Sequence, residues 1–155
     1  MKKFLTLVFF LTLIILSQST IFSHCEVPCG IYNDEMRFTM IAEHIQTIEK
    51  AMQQVTQLSE DLPQNMNQIV RWITNKEKHA EEIQNIISQY FLTQRIKGAV
   101  AEDKKTAENY VKKLTLCHQV LVFAMKCKQT TDLDNVKKLT SLVGEFKKIY
   151  FTGKK

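Results

Sequence analysis

Residues 38–55 read FTMIAEHIQTIEKAMQQV, and their apolar side chains recur in alternating steps of three and four. The recurring positions are Phe38, Ile41, Ile45, Ile48, Met52 and Val55. This spacing places all of them on one face of an α-helix, so the segment predicts an amphipathic helix that packs against a core. Asn33 or Asp34 is the candidate N-cap, and the helix is predicted to end at Asp61-Leu62-Pro63.

Three further segments show the same helical periodicity. The second apolar series has a polar gap at Lys76 and ends before a predicted break at 96–98; it comprises Met66, Ile69, Ile73, Ala80, Ile83, Ile87 and Tyr90. The third comprises Ala107, Val111, Leu114, His118, Leu121 and Met125. The fourth, with Thr131 as its predicted N-cap, comprises Leu133, Val136, Leu139, Val143, Phe146 and Tyr150. Four such helices with short connections predict an all-α fold, an antiparallel four-helix bundle over residues 34–151.

Composition agrees with a helical domain and excludes some functions. The chain has 155 residues, a length typical of one domain with its own core. Only 4 glycines and 2 prolines are present, which disfavours a turn-rich β architecture. The net charge of +5 is mild and no basic stripe with interleaved aromatics occurs, so we expect no nucleic-acid partner.

Residues 1–23 have the layout of a signal peptide. Lys2 and Lys3 precede an apolar stretch over residues 4–16, and a more polar segment ends at Ser23. As a helix, this stretch is about 20 Å long, too short for a hydrocarbon core of about 30 Å. We therefore expect cleavage after Ser23 and export of a mature domain, residues 24–155, to the periplasm or the extracellular space. No stable membrane anchor is expected after cleavage. A lipoprotein acylated at Cys25 is the alternative, but the large His24 precedes that cysteine.

The new N-terminus reads HCEVPCGIY over residues 24–32. Two cysteines four residues apart in an exported protein are a disulfide loop by default. An exported helical-bundle binding protein with a Cys25–Cys29 disulfide is therefore one interpretation, and a metal carrier is another. Cleavage after Ser23 favours a third, because it gives His24 a free α-amine beside the first cysteine.

The α-amine of His24 makes this terminus a chelator. The amine and the backbone nitrogen of Cys25 form one five-membered ring through a metal, and that nitrogen and the Cys25 thiolate form a second. Cys29 supplies the fourth ligand, and the His24 imidazole can reach an axial position. Planar coordination of this kind points to Ni(II) or Cu(II), and copper(II) would tend to oxidise two thiolates. The pattern therefore predicts a redox-active nickel ion with His24, Cys25 and Cys29 as its ligands.

The pattern His-Cys-x-x-Pro-Cys-Gly-x-Tyr resembles the nickel hook of nickel superoxide dismutases. Residues 89–95, QYFLTQR, resemble a second stretch of that family. The resemblance implies a four-helix bundle preceded by the hook over residues 24–32, with one nickel ion per subunit in a homohexamer. It also implies an antioxidant enzyme whose substrate is the superoxide anion, dismutated to dioxygen and hydrogen peroxide by a Ni(II)/Ni(III) couple.

The resemblance also implies catalytic roles for His24 and Tyr32. His24 would supply the amine and the axial imidazole. Tyr32 would lie beside the open face of the metal, screen it and order water or substrate. The family's usual supports for the imidazole, a glutamate on the first helix and an arginine on the second, fall near Met40 and at His79. We consider His79 or Glu43 as substitutes.

Other cysteines and histidines have simpler interpretations. Cys117 and Cys127 are ten residues apart, or about 15 Å along one helix, too far to form a disulfide. We expect both to be buried free thiols. His118 is predicted to be a core histidine, and His44 and His79 are predicted to be solvated.

Overall fold

The computed structural model describes residues 30–98 and 103–152, in which every regular element is a helix. Helix α1 spans Asp34–Leu58, and a 3-10 turn at Ser59–Asp61 leads into α2, Leu62–Asn85. The chain continues from α2 into a π-helical segment, Ile86–Arg95. Helices α3 and α4 span Lys104–Gln129 and Leu133–Thr152. The predicted all-α class is confirmed, and these helices belong to one compact unit that begins at Ile31.

The helices form an antiparallel bundle in which α1 and α3 each pack against both α2 and α4. The start of α1 meets the end of the π-helical segment, since Asp34 binds Arg95. The same end of α1 meets the last third of α4 through an ion pair between Glu35 and Lys147. No helix in the described part of the chain is long and apolar enough to cross a membrane.

Helix starts follow the local sequence. The Asn33 side chain accepts a hydrogen bond from the Met36 backbone N–H at 2.9 Å, so Asn33 is the N-cap of α1. The predicted cap at Thr131 is wrong by one residue. Helix α4 begins at Leu133, and the Asp132 carboxylate accepts from the Asp134 N–H at 3.0 Å.

The predicted core is confirmed in α1, where all six residues of the apolar series are buried. In α4 all but the first, half-buried Leu133, are buried as well. An aromatic cluster joins these two helices to the π-helical segment; it comprises Phe38, Phe91, Phe146 and Tyr150. Its ring centroids lie 4.8–5.7 Å apart, the distances of edge-to-face and offset packing.

The predicted cores of α2 and α3 need correction. In the first turns of α2, Met66 and Ile73 are exposed. In α3 the predicted series includes exposed Val111, Met125 and His118, so His118 is not a core histidine. The buried face of α3 is instead Leu116, Cys117, Val120, Ala124 and Cys127. Cys117 and Cys127 are buried free thiols, as predicted.

Lys76, predicted to interrupt the apolar series of α2, is buried. Its Nζ donates hydrogen bonds to the carbonyl oxygens of Lys128 at 2.7 Å and Thr130 at 2.8 Å. These carbonyls lie at the end of α3, where the last carbonyl oxygens of a helix have no backbone N–H of that helix to accept from. The lysine therefore closes the C-terminal end of α3.

Candidate functional site

A polar cluster lies at the start of α1 and is centred on Asp34. Arg95 binds the Asp34 carboxylate in two places, from Nε to Oδ1 and from Nη2 to Oδ2, both at 2.8 Å. Tyr90 donates its hydroxyl hydrogen to the same Oδ1 at 2.7 Å. These three residues, with Tyr32, form what we call the Asp34 cluster.

The π-helical segment explains how Tyr90 and Arg95 reach one carboxylate. In an α-helix, residues five apart point about 140° away from each other. In a π-helix each N–H bonds to the carbonyl five residues back, so one turn holds more residues than the roughly 3.6 of an α-helix, and residues five apart lie nearer to the same side. The Ile96 N–H donates to Phe91 O at 2.8 Å in this pattern. The wider turn therefore brings both side chains to the same side.

Tyr32 packs against two other members of the Asp34 cluster, Arg95 and Tyr90. The Arg95 guanidinium carbon is 4.1 Å from the centroid of the Tyr32 ring, a cation–π contact. The Tyr90 ring meets the Tyr32 ring edge-on, with centroids 6.0 Å apart. Tyr32 nevertheless remains 39% exposed. Its ring is thus held on one side while part of the residue still faces solvent.

The cluster fixes the protonation of two of its members, Tyr90 and Arg95. Burial, followed by the hydrogen bond to Asp34, raises the pKa of Tyr90 to about 12. The hydrogen bond to Asp34 raises the pKa of Arg95 above its ordinary value, although burial opposes it. At neutral pH Tyr90 is therefore a hydrogen-bond donor and Arg95 a permanent cation.

The region near Met40, where the resemblance places a glutamate, carries an arginine instead. Arg37 donates from Nη1 to the Met40 sulfur at 3.5 Å, and its guanidinium lies 4.8 Å from the Tyr90 ring centroid. The Arg37 Nε is buried and has no hydrogen-bond partner among the described residues. A thioether is only a weak acceptor, so Met40 cannot replace a carboxylate that holds an imidazole.

His79, the other position for an imidazole support, is paired with a second histidine. Its Nδ1 lies 2.8 Å from Nδ1 of His44 on α1, and both side chains are half-buried. The prediction that these two histidines are simply solvated is therefore wrong. Glu43, the other candidate, is exposed.

The predicted metal ligands His24, Cys25 and Cys29 lie outside the described residues. Gly30, directly after Cys29, has φ +76°, a conformation that glycine adopts readily and other residues rarely. Burial raises the pKa of Cys117 to about 12 and that of Cys127 to about 11, so neither offers a thiolate. Within residues 30–98 and 103–152, no three His, Cys, Asp or Glu side chains are gathered as around a metal ion.

Comparison with known proteins identifies the family. The sequence profile of nickel-containing superoxide dismutase matches residues 19–154, nearly the whole chain. No curated protein and no solved structure gave a match. The matched family is one of metalloenzymes, and the all-α bundle of the described residues agrees with it. The chain belongs to the nickel-containing superoxide dismutase family and is an oxidoreductase of that type.

The sequence points to Tyr32 but not to its neighbours. Its local pattern indicates a helix cap at Asp34 and a core residue at Tyr90, and neither indicates a site. The signal that could have found them is the stretch QYFLTQR, residues 89–95, which contributes two members of the Asp34 cluster.

Proposed function

We propose that this enzyme converts two superoxide ions and two protons to dioxygen and hydrogen peroxide, as an antioxidant defence, with one nickel ion per subunit. When bound, nickel would supply a Ni(II)/Ni(III) couple that accepts an electron from one superoxide and returns it to the next. The observation that carries this proposal is the hook sequence of residues 24–32 within a chain that matches the nickel enzyme family.

The donor chemistry of the chain fits nickel at the hook. Of the four cysteines, Cys117 and Cys127 are fully buried and held as thiols. The thiolates that a redox-active nickel requires are therefore left to Cys25 and Cys29. His24 would add its α-amine and imidazole, and Cys25 its backbone nitrogen. The positive φ of Gly30 supports a sharp turn directly after the second cysteine.

Tyr32 would screen the open face of the metal and order water or superoxide. It follows Cys29 by three residues, so chain length alone keeps the two Cα atoms within about 11 Å. Arg95 and Tyr90 hold its ring, which limits the positions that the phenol can take. Arg95 would act through Tyr32 as a positioning residue.

An intact mass of the mature protein, measured under native conditions, tests the metal and the N-terminus together. We expect a chain that starts at His24 and carries the mass of one nickel ion. A loss of two hydrogens without metal would support the disulfide-bonded binding protein. Added acyl mass on Cys25 would support the lipoprotein.

Serine variants test the role of the cysteines. Cys25→Ser and Cys29→Ser should each abolish dismutase activity while far-UV circular dichroism stays unchanged, because the described core lies in the helices. Cys117→Ser is the matched control and should bind nickel normally. Unfolding of the two hook variants would mean that their cysteines are structural.

His24→Gln separates the two roles proposed for His24. Glutamine keeps the α-amine, so nickel content should remain near normal. Loss of the imidazole should lower activity by more than tenfold, a barrier increase above about 1.4 kcal/mol. Full activity in this variant would contradict the axial role.

We also propose export and assembly into a homohexamer. The signal-peptide pattern of residues 1–23 supports export to the periplasm or the extracellular space. Assembly is supported by an exposed apolar stripe on one face of α2: Leu62, Met66, Val70 and Ile73. Light scattering of the purified protein should give the mass of six chains, and Val70→Lys should lower it if this stripe is buried between subunits.

A further inference from the structure

His44 and His79 bring two side chains of a metal-ligating type into contact, and the pair lies apart from the Asp34 cluster. His44 follows Asp34 by ten residues, or about 15 Å along α1. We propose that His44 and His79 form a second metal site, which binds a divalent ion of the Cu(II) or Ni(II) class between their Nδ1 atoms. Neither of its ligands belongs to the hook sequence.

The distance between the two nitrogens favours a particular coordination geometry. The Nδ1 atoms are 2.8 Å apart, at hydrogen-bond distance, and the rings are tilted by 58°, so a metal would replace the proton that lies between the two nitrogens. Two nitrogens that each lie about 2.05 Å from one metal are about 2.9 Å apart when the angle between the bonds is 90°. A tetrahedral angle would require about 3.3 Å. The pair therefore fits adjacent positions of a square-planar or octahedral ion, the geometry of Cu(II) and Ni(II) rather than of structural zinc.

The surroundings of His44 favour a bound cation. Burial, and then His79, lower the pKa of His44, so its ring is neutral at physiological pH and keeps a lone pair for a metal. The negative charges of Glu82 and Glu43 raise the pKa of His44, so both carboxylates are close enough to attract a cation bound at this ring. Glu82 is three residues after His79 and shares its helix face.

The site has two candidate protein ligands in place. No third His, Cys, Asp or Glu ligand is already gathered with the pair in the described part of the chain. Water would complete the coordination shell. Alternatively, the half-buried Glu82 carboxylate would bind the ion after a change of its rotamer. The ligands come from two helices, so the bound ion would also tie α1 to α2.

Copper(II) titration of the full mature chain tests this proposal. The Cys25→Ser/Cys29→Ser background removes the hook thiolates, so the result does not depend on the proposed enzyme function. In this background, His44→Gln and His79→Gln should each remove one equivalent of bound Cu(II). The weakening should exceed the roughly 10- to 100-fold that loss of a residue supporting a metal ligand costs.

The matched control is His118→Gln, because His118 is a single exposed histidine on α3. This variant should keep the full copper stoichiometry. Electron spin resonance of the background protein should show hyperfine coupling to two imidazole nitrogens at this site, and this signal should be lost in either single variant. Circular dichroism checks that each variant is folded.

Two results would overturn the proposal. The first is an unchanged copper stoichiometry in both His44→Gln and His79→Gln. The second is a nitrogen NMR spectrum in which the two Nδ1 atoms still share a proton at saturating Cu(II), which would mean that the contact is an ordinary hydrogen bond between two tautomers.

Discussion

Two cations on the same long helical segment, Arg95 and Lys76, are withdrawn from water in different ways. They are 19 residues apart, or about 28 Å along the segment. Arg95 faces a carboxylate, that of Asp34, and its side chain keeps 19% exposure. Lys76 faces two backbone carbonyls and is 3% exposed.

The partner of each cation decides the direction in which its pKa shifts. The carboxylate holds the pKa of Arg95 above its ordinary value despite burial. At Lys76 burial outweighs its charged neighbours, and the pKa is lowered. Arg95 can therefore present a full charge to the Tyr32 ring, whereas Lys76 serves mainly to satisfy the end of α3. Two cations far apart on one helical segment thus have different roles: Arg95 supports a candidate site, and Lys76 satisfies the carbonyls at the end of α3.

The largest effect on stability is expected at Lys76. Lys76→Met should lower the free energy of unfolding by about 2–4 kcal/mol, because two buried carbonyls lose their donor. Urea unfolding monitored by circular dichroism measures this loss. Lys78→Met, at an exposed position on the same helix, is the control and should stay within about 0.5 kcal/mol of wild type. An equal midpoint for both variants would mean that Lys76 does not hold the end of α3.

Asp34→Asn should have the next largest effect. It leaves the partly buried Arg95 without a carboxylate and should cost about 1–2 kcal/mol, together with a loss of dismutase activity. Glu35→Gln removes the neighbouring exposed ion pair with Lys147 and should cost at most about 1 kcal/mol. Equal stability and activity in the two variants would mean that the partly buried ion pair of Asp34 contributes no more than the exposed ion pair of Glu35.

Tyr90→Phe should have a smaller effect, about 1 kcal/mol, because one hydrogen bond to Asp34 is removed and the packed ring remains. Thermal unfolding compared with Tyr110→Phe, at a half-buried position on α3, isolates the contribution of this hydroxyl. A loss as large as that of Asp34→Asn would indicate that Tyr90, rather than Arg95, is the main partner of the carboxylate.

The smallest effect is expected from pH. The folded-state pKa of Lys76 lies below the ordinary value of 10.5, so the unfolded chain binds more protons between the two values. The contribution of Lys76 to stability should therefore rise with pH in that window. The free energy of unfolding of wild type, measured against Lys76→Met, should increase more steeply as pH approaches 10.5. Parallel curves would contradict the lowered pKa.

The sequence predicted the bundle well where one helix face is clearly apolar. In α1 the apolar steps of three and four leave only one helix face that can pack against the core, and all six predicted residues are buried. In α3, Leu114, Leu121 and Met125 compete with Leu116, Val120 and Ala124 for the core. The face with the small side chains Cys117, Ala124 and Cys127 is the one that packs, since small residues let helices approach closely.

The sequence predicted only those residues of the site that lie close together along the chain. His24, Cys25, Cys29 and Tyr32 follow from one contiguous stretch, and the three ligands stay a prediction outside the described residues. Contacts between helices were missed because the periodicity of one helix says nothing about its register against another. The pair of His44 and His79 joins positions 35 residues apart, and the Asp34 cluster also depends on a π-helical turn that the apolar pattern does not indicate.

The two core thiols have a consequence for an enzyme whose proposed product is hydrogen peroxide. Peroxide oxidises thiolates to sulfenic acids far more readily than it oxidises thiols. With pKa values of about 12 for Cys117 and about 11 for Cys127, almost no thiolate forms in the bundle at neutral pH, and neither sulfur is open to solvent. The same burial that completes the core therefore keeps both of these sulfurs unreactive toward hydrogen peroxide.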